Sequence, residues 1–295
     1  MNRFLHPFRI TALFRTLSIL SAVLFCLPGL SSVAGAGIVV TGDLTHEYQL
    51  KPGQTHEASI ELENRDATPK TVRIYQTDYR YQANGQSFFP SPGTTERSNA
   101  GWLTFSPKVM TVPPMQKSRI RYLIRVPRDR TKKGTYWSML MIQEVPDAAP
   151  AKTERKDNTV TLASPASRSG VQIVTQLENS GQIALEFTSA TVVSKNAKRI
   201  LSIDIENRGT RIAHPEMWLE VYTGGGLKAG RFVSEAGSIL PGCSIRREID
   251  ISTLPKGTYN SLFIADCGQR DTFGLEIKLV LEGEPEPKPA TGTRN

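Results

Sequence analysis

Over residues 117–126 apolar and basic positions alternate, with Ile120, Tyr122, Ile124 and Val126 on one parity and Lys117, Arg119, Arg121 and Arg125 on the other. Successive side chains of an extended strand point to opposite faces, so this stretch predicts a half-buried β-strand with a basic outer row. Beyond a loop bounded by Pro and Gly, residues 135–143 are apolar on both parities and are expected at the centre of a sheet. Turn residues at Lys51-Pro52-Gly53, Asn64-Arg65-Asp66, Asn84-Gly85 and Pro113-Pro114 punctuate the same period of two. They predict further strands at 38–50, with an internal break, and at 54–63, 71–81, 103–111 and 171–177. A second set is expected at 183–193, 199–206, 216–222, 230–235, 244–251, 259–266 and 273–281. Almost no stretch carries the helical period, which leaves an all-β fold.

Two tripeptides recur in the same order. Glu63-Asn64-Arg65 returns as Glu206-Asn207-Arg208, and Gly134-Thr135-Tyr136 returns as Gly257-Thr258-Tyr259. Ordered matches at corresponding points imply a duplicated unit. The expected architecture is two immunoglobulin-like β-sandwich domains in tandem, at 37–180 and 181–282, with Tyr136 and Tyr259 placed as tyrosine corners. Residues 146–170 are rich in Pro, Ala, Ser, Lys and Asp. They read either as an interdomain linker or as a long mobile loop inside the first domain. The second reading is preferred because it gives that domain its seventh strand. The tail at 283–295 lacks large apolar residues and is expected to be disordered.

Residues 1–36 read as a signal peptide. Arg3, Arg9 and Arg15 precede an apolar run over 17–27, and Ala34-Gly35-Ala36 supplies a cleavage site. The run falls short of the roughly 20 apolar residues of a membrane span, so no transmembrane segment is expected in the mature chain. The expected location is the periplasm or cell envelope. Removing the segment takes Lys plus Arg from 36 to 33 against 28 acidic residues, a mild net charge of about +5 that does not suggest nucleic acid. Cys243 and Cys267 then remain, an even pair in an exported chain. If strands 244–251 and 259–266 run antiparallel about Pro255, the two cysteines meet at the open end, and a disulfide is predicted. Two free buried thiols are the alternative.

Candidate chemistry is sparse. His46, His56 and His214 stand alone, outside any metal-ligand spacing, and no metal or cofactor is expected. Glu61, Glu63 and Asp78 alternate with apolar residues as on solvated strand faces. Gly224-Gly225-Gly226 lacks the residues of a phosphate loop and reads as a turn. No nucleophile elbow is present, and an enzyme is not expected.

The run WLTFSPKVMTVPPMQKSRIRYLIRVP (102–127), the long loop and the alternating strand VQIVTQL (171–177) resemble the periplasmic chaperones of chaperone-usher pilus assembly. The chain also resembles surface-associated immunoglobulin-like proteins of bacteria. The first resemblance implies that the last strand of the first domain is added to an incomplete pilin-like or other surface-fibre subunit, with an outer-membrane usher as a further partner. It places Val171, Ile173 and Leu177 in the donor row, with Thr175 interrupting it. It also implies two basic cleft residues that hold a subunit's terminal carboxylate. Neither 37–50 nor 171–177 contains Lys or Arg, and Arg168 is the nearest cation. Together with the row Lys117, Arg119, Arg121 and Arg125, Arg168 is a candidate contact for an anionic partner. The alternative is a structural or adhesive envelope protein that binds another protein or a surface polymer. A chaperone would expose Val171, Ile173 and Leu177, whereas a spacer would bury them.

Overall fold

The computed structural model describes residues 37–146, 167–268 and 271–282. The expected signal peptide, the loop residues 147–166 and the tail at 283–295 lie outside the described residues. In chain order the strands are β1 (Ile38–Thr41), β2 (Thr45–Leu50), β3 (Thr55–Asn64), β4 (Lys70–Thr77), β5 (Arg80–Tyr81), β6 (Ser87–Phe88), β7 (Leu103–Ser106), β8 (Val109–Val112) and β9 (Lys117–Arg125). They continue as β10 (Thr135–Glu144), β11 (Arg168–Leu177), β12 (Leu185–Lys195), β13 (Lys198–Asn207), β14 (Glu216–Thr223), β15 (Lys228–Val233), β16 (Ser244–Asp250), β17 (Gly257–Asp266) and β18 (Thr272–Leu281).

These strands form two immunoglobulin-like β-sandwiches in tandem. In the first, a sheet ordered β1-β3-β9-β7 faces one ordered β2-β11-β10-β4-β8. In the second, β12-β13-β16 faces β15-β14-β17-β18. The alternating pattern of β9 does what its period demands: Ile120, Tyr122 and Ile124 are buried, and Lys117, Arg119, Arg121 and Arg125 face solvent. They meet Ile60 and Leu62 of β3 and Leu140, Ile142, Val171 and Ile173 of the opposite sheet in one core. Each such side chain, fully buried, contributes about 1.5–3 kcal/mol. Leu201, Ile203, Ile205, Leu219 and Phe263 build the matching core of the second sandwich. As its apolar run predicts, β10 is central, between β4 and β11.

Two expected strands divide between sheets. The stretch 38–50 becomes β1, paired with β3, and β2, paired with β11 in the facing sheet. The stretch 103–111 becomes β7 and β8, also in opposite sheets. Pro107, which has no amide N–H for a ladder, lies between them. Strands β16 and β17 lie in opposite sheets rather than forming a hairpin. This corrects the expected Cys243–Cys267 disulfide: both thiols are free. Cys243 packs with Trp137, Val174, Ile212 and Leu240 where the sandwiches meet, and Cys267 lies at the rim of the second core. Burial pushes the Cys243 thiol up and carries Cys267 to about 11, so neither thiolate is populated at neutral pH.

The repeated tripeptides have a physical basis. Asn64 and Asn207 end β3 and β13, and both are fully buried. Asn64 Nδ2 donates to the carbonyls of Thr68 and Val112 at 2.8 and 3.0 Å, while its Oδ1 accepts from Asp66 N at 3.0 Å. Asn207 Nδ2 donates to those of Arg211 and Ile239, both at 2.8 Å, and its Oδ1 accepts from Gly209 N at 2.9 Å. One amide thus ties a strand end to its following loop and to a distant segment in each sandwich. The tyrosines diverge. Tyr259 forms the expected corner, its hydroxyl donating to Pro255 O at 3.0 Å, whereas Tyr136 stacks on Trp102 with centroids 4.7 Å apart.

Replacing Asn207 by Ala removes three hydrogen bonds of a fully buried amide, to Arg211 O, to Ile239 O and from Gly209 N, and is expected to cost about 2–4 kcal/mol. Urea unfolding of the full chain checks this, with the solvent-facing Asn260→Ala shifting stability by less than about 0.5 kcal/mol. An Asn207→Ala midpoint equal to that of the parent would refute the role given to this amide.

Candidate functional site

The candidate row on β11 sits in the interior of the first sandwich. Val171, Ile173 and Leu177 are buried in its core at 0, 0 and 4% exposure. Thr175 is fully buried and accepts from Asn99 Nδ2 at 3.1 Å, in a network where Ser138 Oγ donates to Asn99 Oδ1 at 2.7 Å. The polar interruption of the row is therefore a satisfied core residue. These four side chains hold the chain's own sheets together and are not presented to a partner.

The backbone of the same strand is a different matter. Along its whole described length β11 pairs antiparallel with β10, from Gln143↔Arg168 to Thr135↔Gln176. On its other side β2 pairs in parallel only from Gln172↔Thr45 to Leu177↔Leu50. The pairing begins with Gln172 N donating to Leu44 O at 2.8 Å. Upstream of that bond the chain turns away through Gly42, at φ 90°, into β1 and the opposite sheet. Residues 168–171 therefore have β10 on one side and no strand on the other among the described residues. Backbone groups alternate between the two edges of a strand. Gln172 faces β2, so Gly170 and Arg168 direct their N–H and C=O groups to the uncovered side.

The surroundings of this edge are soft. A Cβ built at Gly170 would lie 2.4 Å from Met139 Cε and 3.0 Å from Met141 Sδ, so flexible thioethers fill the space its missing side chain leaves. Arg168 opens β11, with its guanidinium 5.2 Å from the ring of Phe89, which is 40% exposed.

The basic row of β9 is already partly engaged. Lys117 Nζ lies 2.6 Å from Glu61 Oε1, and an Arg119 nitrogen lies 3.2 Å from Oε2. The Lys117 hydrogen bond, aided by Thr41 and Arg119, holds the Glu61 carboxyl at about 2. Neither Arg121 nor Arg125 joins an ion pair among the described residues. The row is thus not one free cationic patch.

The junction between the sandwiches holds groups that the sequence did not connect. Gly134, at φ 80°, approaches the second sandwich so closely that a Cβ would stand 1.9 Å from Thr210 O. Gly181, at φ 79°, packs against Gly134 in turn. Thr135 N donates to Thr210 O at 2.9 Å, and Ile212 N donates to Thr135 Oγ1 at 2.9 Å. On β2, Glu47 accepts from Gln176 Nε2 and lies 3.2 Å from His214 Nε2, while Arg211 Nε donates to Gln176 Oε1 at 3.2 Å. Read as isolated, His214 is in fact partnered by a residue 167 positions away. Cations of both sandwiches meet here and are partnered within the chain: Arg97 of the first donates to Thr210 O and Arg80 to Gly242 O, both at 3.3 Å, beside Arg211 and His214 of the second. Two other readings change as well. His46 is partly buried, with Nδ1 2.6 Å from Tyr122 Oη. Asp78, expected on a solvated face, is fully buried and accepts from Thr95 N at 2.7 Å and Gly93 N at 3.1 Å.

No family model matches the chain, and no curated protein matches it. Solved structures do. It is similar to fimbrial and pilus chaperones. A class 5 fimbriae chaperone, CfaA, is 16% identical, covering 83% of this chain and 99% of its own, with a TM-score of 0.43. The E. coli chaperone DraB is 15% identical over 83% of this chain and 97% of its own, at a TM-score of 0.37. A chain of the CsuC–CsuE chaperone–tip subunit pre-assembly complex from Acinetobacter baumannii is 12% identical over 82% and 98%, at 0.40. At such values the likeness decides nothing about mechanism.

The Glu47–His214 pair generates a pH dependence. Its hydrogen bond to Glu47 raises the His214 pKa above 6.5 against the opposing effect of burial. Burial raises that of Glu47, but the His214 and Gln176 bonds outweigh it and leave the carboxyl below 4.5. A raised histidine stabilises fully below 6.5 and ceases to as pH climbs through its folded value. A lowered carboxyl stabilises above 4.5 and ceases to as pH falls through its folded value. The pair is therefore strongest between pH 4.5 and 6.5. Between about pH 6 and pH 8 the parent is expected to lose stability relative to His214→Gln by less than about 1 kcal/mol, because the His214 side chain is 53% exposed. Thermal midpoints of the two proteins against pH measure it, and parallel curves would refute the pairing. The difference between them cancels the contribution of His46.

Proposed function

We propose that this chain is a non-enzymatic, periplasmic chaperone-like protein that caps a surface-fibre subunit by β-strand addition at the uncovered part of β11. One observation carries the reading: β2 covers β11 from Gln172 onward and leaves the backbone groups of Arg168 and Gly170 unpaired among the described residues. Strand addition draws its affinity from main-chain hydrogen bonds and its selectivity from pockets for alternate side chains, and it requires no cofactor. Met139 and Met141 beside Gly170 supply an adaptable surface for such side chains. The sequence resemblance supplies the partner class, a pilin-like subunit delivered to an outer-membrane usher, and the exported location. The boundary between the domains is placed at Ser180-Gly181. This reading shifts the binding edge upstream of the row Val171, Ile173, Thr175 and Leu177, which stays in the core.

A second reading has its own support. The burial of Val171, Ile173 and Leu177, together with the close junction at Gly134 and Thr210, suits a rigid structural or adhesive envelope protein.

Gly170→Pro separates the two. Proline removes the amide N–H on the uncovered side and leaves the ladder to β10, which uses the alternate residues. Gly170→Ala controls for the added Cβ. With the mature protein co-expressed beside its candidate subunit in the periplasm, the parent and Gly170→Ala are expected to co-purify a small β-rich subunit. Gly170→Pro, folded by near-ultraviolet circular dichroism, is expected to retain at least about tenfold less. Equal retention by folded Gly170→Pro would sink the edge, and a parent that emerges alone would favour the structural reading.

A further inference from the structure

The last strand of the second sandwich, β18, is the sequence counterpart of β11 but lacks its cover. It pairs with β17 along its full length, from Asp266↔Thr272 to Gly257↔Leu281, and no strand lies on its other side among the described residues. In the first sandwich β2 crosses over to pair with the last strand, whereas its counterpart β12 stays entirely on β13. The result is a ten-residue exposed edge, longer than the four residues left open on β11 among the described residues.

The direction of its backbone groups can be read. Cys267 N donates to Asp271 O at 2.9 Å in the register that continues along the pair, and Ser261 Oγ donates to Ile277 O at 2.7 Å. The odd-numbered residues of β18 therefore turn their N–H and C=O groups to β17. Thr272, Gly274, Glu276, Lys278 and Val280 turn theirs outward. An added antiparallel strand must place outward-facing residues opposite outward-facing residues. For self-pairing this restricts the two-fold axis to positions centred on a residue.

We propose that a second copy of this chain adds across β18, antiparallel about a two-fold axis at Ile277, so that two four-stranded sheets join into one. In this register Glu276 faces Lys278 of the second copy twice over, and each pair can exchange two backbone hydrogen bonds. Val280, 55% exposed, lies over Gly274, which has no side chain to collide with it. On the inner face the partly buried Phe273, Leu275 and Ile277 meet Leu281, Leu279 and Ile277 of the copy, continuing both cores. Neighbouring registers oppose like charges or lose the attractive pairs. An axis at Glu276 opposes two glutamates, one at Lys278 opposes two lysines, one at Leu279 sets Glu276 against Glu282, and one at Leu275 sets Glu276 against Gly274 and Lys278 against Thr272, with neither pair kept. Neither Glu276 nor Lys278 forms an ion pair within the chain among the described residues, so both are free for the copy. The contact is isologous and closes at two subunits. It does not depend on the edge of β11.

Sedimentation of the full chain tests it. The parent is expected to dimerise at about 100 µM or below. Glu276→Lys and Lys278→Glu each place like charges opposite one another and should weaken the dimer at least about tenfold. Mixing the two variants restores both attractive pairs, so a heterodimer is expected from two proteins that are monomeric alone, which also shows that each is folded. Three results would overturn the proposal. They are a monomeric parent at that concentration, a dimer indifferent to both reversals, or a monomer that dimerises only after removal of 283–295, which would make the chain's own tail the occupant.

Discussion

One stretch of chain serves two sheets, and the rest of the first sandwich depends on it. Residues 38–41 close the sheet of β3 and β9, and residues 45–50 close the sheet of β10 and β11, with a turn at Gly42 between them. Had the strand run straight along β3, the last strand would offer its whole edge to solvent and to aggregation. Had it followed β11 throughout, no edge would remain. The position of the switch sets the open backbone at four residues, 168–171, among the described residues.

The same economy governs the junction. In the second sandwich the buried amide of Asn207 fixes the 208–212 loop, as that of Asn64 fixes the equivalent loop in the first. Only the second copy is put to further use. Thr210 on that loop takes bonds from Thr135 N through its carbonyl and from Gln182 N through its hydroxyl. The duplicated element thus became a bearing surface. Gly134 is a glycine because the approach of Thr210 O leaves no space for a Cβ, and Gly181 because Gly134 Cα and Thr210 Oγ1 leave none. Folding of the second sandwich and its attachment to the first therefore share one set of hydrogen bonds.

Periodicity in the sequence reported which face of β9 is buried, as for Ile120, Tyr122 and Ile124, but it misplaced Asp78, which lies buried beyond the end of β4. It could not report who the neighbours are. Residues 103–111 and 38–50 each look like one strand because alternation survives a change of sheet. The row Val171, Ile173 and Leu177 looks the same whether its apolar side faces its own core or a partner's. The two cysteines flank strands that seem consecutive in sequence yet lie in opposite sheets, so proximity along the chain misled. His214 and Glu47 meet only through the parallel pairing of β2 with β11, which no local signal encodes. The tripeptide repeats were the most legible feature, because an asparagine at each strand end makes the same three kinds of bond in both copies.

The two last strands show how one fold can leave edges of different character. On β11 the exposed groups are few, the outward side chains are a glycine, an arginine and a glutamine, and the neighbours are methionines that adapt to many shapes. Such an edge carries little sequence information and suits partners that vary. On β18 the open backbone is long, and opposite charges flank a central isoleucine, so pairing in any register but one brings like charges together or loses a pair. That edge carries its own specificity and selects itself. The difference follows from a single topological choice, whether the first strand of a sandwich crosses to meet the last. The first sandwich made the crossing and the second did not.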